Sequence, residues 1–131
     1  MIQLTVPGIP PSGNHYKGLN RRTGRWFVRK PAISFKASVA VLLAGRQMPP
    51  ANAYRVEALV YLPKGKRGDA DNFNKVILDA LQAAGAFPGR NGKRGSDARS
   101  RRVEVETRRD WSNPRTEITI TVLNQNQNAK G

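Results

Sequence analysis

Lys64-Gly65-Lys66-Arg67-Gly68-Asp69-Ala70-Asp71-Asn72-Phe73-Asn74-Lys75-Val76-Ile77-Leu78-Asp79-Ala80-Leu81-Gln82-Ala83-Ala84-Gly85 is the stretch around which the chain is organised. Just upstream, Tyr54, Val56, Ala58, Val60 and Leu62 alternate with Arg55, Glu57, Leu59 and Tyr61. That is the period of a strand over 54–62, closed by Pro63. Within the quoted stretch Phe73, Val76, Ile77, Ala80, Leu81 and Ala84 recur at three- and four-residue steps. The spacing predicts a helix over about 71–84, with Gly85 as a natural C′ residue. A strand thus runs into a basic loop, two aspartates and an amphipathic helix.

Working toward the N-terminus, Ile2, Leu4 and Val6 share one face of a short strand over 2–6. Residues 7–14, Pro-Gly-Ile-Pro-Pro-Ser-Gly-Asn, stop it in an ordered turn or extended arm. Residues 15–30 mix cations (Lys17, Arg21, Arg22, Arg25, Arg29, Lys30) with His15, Tyr16, Trp26 and Phe27. Such a mixture suits phosphate contact with base or sugar stacking; a solvated loop with Trp26 and Phe27 tucked onto the core explains it equally well. Helix signals resume at Pro31, and a second helix is expected with Ser34 as its candidate N-cap and an end near Arg46-Gln47, with Phe35, Val39, Leu42 and Leu43 on its apolar face.

Toward the C-terminus, residues 86–96 read as a mobile Gly-rich basic loop. Strands are expected over 101–109 and 115–123, separated by the turn 110–114 and near enough in sequence to pair as a hairpin. The tail, residues 124–131, is polar and expected to be disordered. The order β-α-β-α-β-β implies one α+β domain, residues 1–123, with a mixed sheet covered by two helices.

The 131 residues suffice for one core, and hydrophobic content of 38% makes it a modest one. Net charge is +14, from 23 Lys and Arg against 9 Asp and Glu. Such a field favours a polyanionic partner, nucleic acid first. An anionic membrane would need a basic amphipathic helix or an anchor, and neither is evident. A soluble protein that is merely basic is the bland alternative. There are no cysteines, which excludes disulfides, thiolate metal sites and Cys nucleophiles. The first residues carry no signal-peptide pattern and no apolar run approaches a membrane span, so a cytoplasmic location is expected.

Carboxylates are scarce, and two of them, Asp69 and Asp71, lie two positions apart beside Lys64, Lys66 and Arg67. Asp is a favoured N-cap, which accounts for one of the pair. A second adjacent acid is redundant as a cap and repels the first, whereas a divalent cation would offset the repulsion. Hard Mg²⁺ takes carboxylate oxygens, waters and phosphate oxygens. Lys75, one turn after Asp71, could stabilise charge at a phosphate, although by pattern alone an i,i+4 ion pair to Asp71 or Asp79 is the readier account. Asp97 ends the basic loop before the third strand; if that strand lies beside the second, Asp97 can reach the same end of the sheet. Three carboxylates in a basic surface describe a metal-dependent phosphodiesterase site. A single histidine and the absence of a Walker loop leave little room for other chemistries.

These residues resemble the RusA-type Holliday junction resolvases. The resemblance covers about residues 2–123 and rests on V-P-G-I-P-P-S-G-N at 6–14, G-D-A-D-N-F-N-K-V-I-L-D-A-L at 68–81, Q-A-A-G-A-F at 82–87 and Asp97 before a strand. It implies that Asp69, Asp71 and Asp97 bind Mg²⁺, with Mn²⁺ as a substitute, and that Lys75 is needed for cleavage. It also implies a homodimer acting on branched DNA, with no organic cofactor. Where family members carry an acidic pair followed by Gln-Val, this chain has Ser96-Asp97-Ala98-Arg99-Ser100 after a longer, more basic loop. Asn14 matches a recurring family residue and either supports the site or stabilises its turn. Lys17, Arg25, Lys64, Lys66, Arg67, Asn72, Arg90, Lys93 and Arg94 join it as expected DNA contacts. The expected function is a Mg²⁺-dependent endonuclease resolving Holliday junctions in recombination and repair. The alternative is a non-catalytic junction or nucleic-acid binder on the same scaffold. A flap nuclease is a variant of the first, and a ribosome-associated protein leaves the aspartates unexplained.

Overall fold

The computed structural model describes residues 1–11, 17–28, 30–51, 53–63, 65, 70–88 and 101–123. Along them run β1 (Ile2–Pro7), β2 (Lys17–Asn20), β3 (Arg25–Val28), α1 (Lys30–Leu43), β4 (Tyr54–Leu62), α2 (Asp71–Ala83), β5 (Arg101–Arg109) and β6 (Arg115–Val122). Four strands form one sheet in the order β1-β6-β4-β5, and β2 and β3 form a separate two-stranded ribbon. The fold is α+β with a mixed sheet and two helices, as the alternation of patterns implied. The ribbon is an addition that the sequence reading passed over.

The expected β5–β6 hairpin does not form. β5 pairs parallel with β4, Tyr54 opposite Arg101 and Leu62 opposite Arg109. β6 pairs antiparallel with both β1 and β4, inserting between them. Burial explains the choice. Thr116, Ile118 and Ile120 are fully buried, whereas Val103 and Val105 of β5 are only half-buried. The strand with the more apolar inner face takes the centre, where both of its edges are also hydrogen-bonded. The turn between them crosses the end of β4, with the Asp110 amide donating to the Leu62 carbonyl at 3.1 Å.

α1 begins at Lys30, four residues before the expected cap at Ser34, because Pro31 fits the first turn of a helix. It ends at Leu43, where Ala44 and Gly45 adopt φ of 55° and 74°. Arg46 then caps it, Nε donating to the Leu43 carbonyl and a terminal nitrogen to that of Leu42, each at 3.0 Å. Its buried face is Ala32, Phe35, Val39 and Leu43; Leu42, expected there, is exposed.

α2 closes as the sequence implied. Gly85 has φ of 80°, its amide bonds the Gln82 carbonyl, and the Ala86 amide bonds that of Leu81, both at 3.0 Å. This is the Schellman arrangement, which needs a left-handed residue at Gly85. Gly85→Ala is expected to cost about 1 kcal/mol, read as a shifted denaturation midpoint. Ala86 and Phe87, assigned from sequence to a mobile loop, are instead buried. The Phe87 ring lies 5.2 Å from that of Tyr54, and the Ala86 carbonyl accepts from the Met48 amide at 2.8 Å. Residues 89–96 and the tail 124–131 lie outside the described residues.

Both helices pack on one sheet face, over Val6, Val56, Val60, Ile118 and Ile120. The one buried polar residue recorded there, Thr116, donates its hydroxyl to the Gly8 carbonyl at 3.1 Å, tying the turn after β1 to β6. Among the described residues no helix is long and apolar enough to cross a membrane.

On the other sheet face Arg115 binds Asp110 at 2.8 Å and Glu117 at 2.7 Å, and its guanidinium sits 3.8 Å above the Tyr61 ring. The Arg115 hydrogen bond, assisted by Ser112, holds the Asp110 carboxyl below its ordinary pKa. A depressed folded pKa stabilises the fold above the unfolded value near 3.9 and the contribution is lost as pH falls through the folded pKa. Asp110→Asn is therefore expected to lower stability at neutral pH and to flatten its decline below about pH 4, measured by urea midpoints at each pH.

Candidate metal site and nucleic-acid interface

The central strand β4 delivers the chain to the site. It leaves the sheet at Leu62, and α2 begins at Asp71. Ala70 stands at the N-cap position with helical dihedrals and no side-chain cap, and its carbonyl accepts from the Phe73 amide at 3.1 Å. Asp71 occupies the first helical position instead of the cap. Capping therefore does not account for Asp71; its place in the first turn is one where the helix dipole favours negative charge.

The burial of α2 fixes what its other side can do. Phe73, Val76, Ile77, Ala80 and Leu81 face the core, so Lys75 is exposed and Asn72 half-buried. Lys75 stands one turn after Asp71 and therefore on its side of the helix. Asn74, three positions after Asp71, has a buried Oδ1 with no hydrogen-bond partner among the described residues. An orphaned hard oxygen one turn from an aspartate suits the water shell of a small divalent cation. With no cysteine and a single histidine in the chain, the available donors are nearly all oxygens, which suit Mg²⁺ or Mn²⁺ better than soft metals. Asp69, Asp71 and Asp97 are the residues expected from sequence to hold such an ion.

Of the residues singled out from sequence, Asp69, Asp97, Asn14, Lys64, Lys66, Arg67, Arg90, Lys93 and Arg94 lie outside the described residues. Among the described residues no group of three or more metal-ligating side chains occurs. β5 does lie beside β4, the condition set for Asp97 to approach the pair. Its parallel register, however, starts β5 at Arg101 beside Tyr54, the end of the sheet away from Leu62. Lys17 stands in β2, and Arg25 is exposed in β3.

The ribbon bears on one alternative left open for residues 15–30, that Trp26 and Phe27 tuck onto the core. Trp26 is 68% exposed and Phe27 48%, so neither is tucked onto the core. No acidic residue occurs before Glu57, so the cations of this half have no carboxylate near them in sequence.

Sequence reading also missed a gathering of carboxylates. All four glutamates of the chain, Glu57, Glu104, Glu106 and Glu117, line a concavity of about 300 Å³ on the sheet face opposite the helices. The strand registers bring them together: Glu57 pairs with Glu104, and Leu59 lies between Glu106 and Glu117. Their positions alternate with apolar ones, which was the available signal, but only the strand order shows that they meet. Three of the four are paired with arginines of the same face, Glu57 with Arg55, Glu106 with Arg108 and Glu117 with Arg115, so the concavity is lined by ion pairs.

Comparison with known proteins agrees with this picture. No family model matches the chain. It is similar to a protein of Enterobacteria phage 82 described as "Crossover junction endodeoxyribonuclease rusA", with 32% identity over 84 residues, 63% of this chain and 68% of the phage protein. The chain belongs to the RusA-like family.

Proposed function

We propose that this protein is a Mg²⁺-dependent, structure-specific endonuclease that resolves Holliday junctions by phosphodiester hydrolysis in recombination and repair. The observation that carries the reading is D-A-D-N-F-N-K at the start of α2, at the exit of the central strand of a RusA-like chain with net charge +14. Asp69, Asp71 and Asp97 hold the ion. When bound, Mg²⁺ supplies an activated water and neutralises phosphate charge. Lys75, exposed on the Asp71 side of α2, stabilises the negative charge that grows on the scissile phosphate. Lys64, Lys66, Arg67, Arg90, Lys93 and Arg94 bind the phosphate backbone, and Asn14 and Asn72 support the site or the DNA.

Two cuts placed symmetrically across a junction need two sites, so the acting species is a homodimer with two-fold symmetry. It works in the cytoplasm and uses no organic cofactor. The register of β5 gives the dimer a second readout. Asp71→Asn and Asp97→Asn proteins, each inactive alone, regain partial cleavage on mixing if one copy lends Asp97 to the other, and stay inactive if each site is built within one chain.

The defining experiment is a denaturing gel of end-labelled four-way junction, linear duplex and flap, with and without Mg²⁺. Paired cuts in the junction alone, dependent on Mg²⁺, are expected. An uncut junction that still binds, with affinity falling as salt rises, would instead mark a non-catalytic junction binder.

A further inference from the structure

The ribbon β2–β3 takes no part in the proposed chemistry, yet it is built with care. Its turn is organised by Asn20, whose Oδ1 accepts from the Arg22 amide at 3.0 Å and the Thr23 amide at 3.3 Å. The Gly24 amide donates to the Asn20 carbonyl at 2.8 Å, and Gly24 takes φ of 71°. On one face Phe27 lies over Gly18, so closely that a Cβ at Gly18 would sit 2.5 Å from the Phe27 ring. These contacts hold a two-stranded element that would otherwise be marginal.

The opposite face is what the scaffold displays. Leu19 and Trp26 are directly paired across the strands and are 46% and 68% exposed. Arg21 and Arg22 form the exposed tip beside it, while Arg25, paired with Asn20, lies on the Phe27 face. An exposed indole next to an arginine-bearing tip calls for a ligand that is anionic at its rim and flat and apolar at its centre. A nucleic-acid base between its phosphates has that chemistry, and aromatic side chains bind bases by stacking. Inside a linear duplex the base faces are covered by their neighbours. At a branch point the terminal pairs of each arm offer a free face.

We propose that Trp26 stacks on a base pair at the branch point of a DNA junction while Arg21 and Arg22 at the tip hold the flanking phosphates. The ribbon is thus the element that distinguishes branched from linear DNA. This rests on branched DNA being the ligand, as proposed above.

The chain has two tryptophans, so Trp111→Phe leaves Trp26 as the sole indole emitter. That full-length variant is titrated in EDTA, where nothing is cut, with a four-way junction, a linear duplex of equal length and a single strand. Binding is followed independently by the anisotropy of a labelled DNA. Junction binding is expected to quench Trp26 emission by about half or more, and duplex binding to leave it nearly unchanged. Trp26→Ala should weaken junction binding roughly ten- to a hundredfold with the salt slope unaltered, and Trp26→Phe should restore most of it. Arg22→Ala should instead reduce the salt slope by about one.

Bound junction with unchanged emission overturns the assignment, as does equal junction affinity after Trp26→Ala. A fall in sedimentation mass on Trp26→Ala also overturns it, by assigning the patch to contact between copies. Cleavage is scored separately with Mg²⁺. Product without quenching leaves the nuclease and removes the ribbon's role. Quenching without product leaves the ribbon's role and removes the nuclease.

Discussion

If the proposed function holds, Asp71→Asn is expected to abolish junction cleavage while leaving the protein folded and bound to DNA. Asn is nearly isosteric with Asp, so at the first position of α2 the fold loses only a charge–dipole contribution of about 0.3–1 kcal/mol. The metal loses an anionic ligand, and removing a single group that stabilises transition-state charge costs about 10²- to 10³-fold in rate. Single-turnover cleavage in Mg²⁺ should fall by at least that factor. Junction affinity in EDTA should hold or improve, since a negative charge leaves a basic surface. Undiminished cleavage by Asp71→Asn would remove the carboxylates from the mechanism. Lost binding together with lost cleavage would assign Asp71 a structural part instead.

The second large effect tests the strand order. Ile120 is fully buried and faces Ile2 of β1 on one side and Val56 of β4 on the other. Ile120→Ala should cost about 2–5 kcal/mol, since the sheet and helices around it cannot collapse into the cavity. That is a large share of the roughly 5–15 kcal/mol typical of a domain. Val103→Ala on the half-buried edge strand β5 should cost nearer 1 kcal/mol. Thr121→Ala, its side chain on the outer face, should stay within about 0.5 kcal/mol. Denaturant midpoints for the three variants give the order directly. Equal costs for Ile120→Ala and Val103→Ala would contradict a central β6.

Local signals were legible wherever one residue type had one physical use. Alternation in β4 and β6, the apolar spacing of α2 and the left-handed requirement at Gly85 each predict their element within a residue or two. Misreadings arose where two local accounts competed. Ser34 can cap a helix or sit in its first turns, and the turn Asp110–Pro114 can close a hairpin or carry the chain over a neighbouring strand. Phe87, next to Pro88 and a glycine-rich run, reads as loop until Tyr54 is seen beside it.

The same division holds for the candidate site. Its candidate residues were readable locally: aspartates two apart, Lys75 one turn on, and a +14 chain suited to a polyanion. Sequence also determined which faces of β4 and α2 are apolar, because side-chain period follows directly from backbone geometry. Tertiary structure alone decided who neighbours whom. It set β6 between β1 and β4, gathered all four glutamates on the face away from the helices, and started β5 at the sheet end away from α2's first residue. It also held Trp26 out on a ribbon clear of the core. Those outcomes depend on which strand buries the most apolar surface once all strands compete for the centre of one sheet. That comparison spans the whole chain, and no local window of sequence contains it.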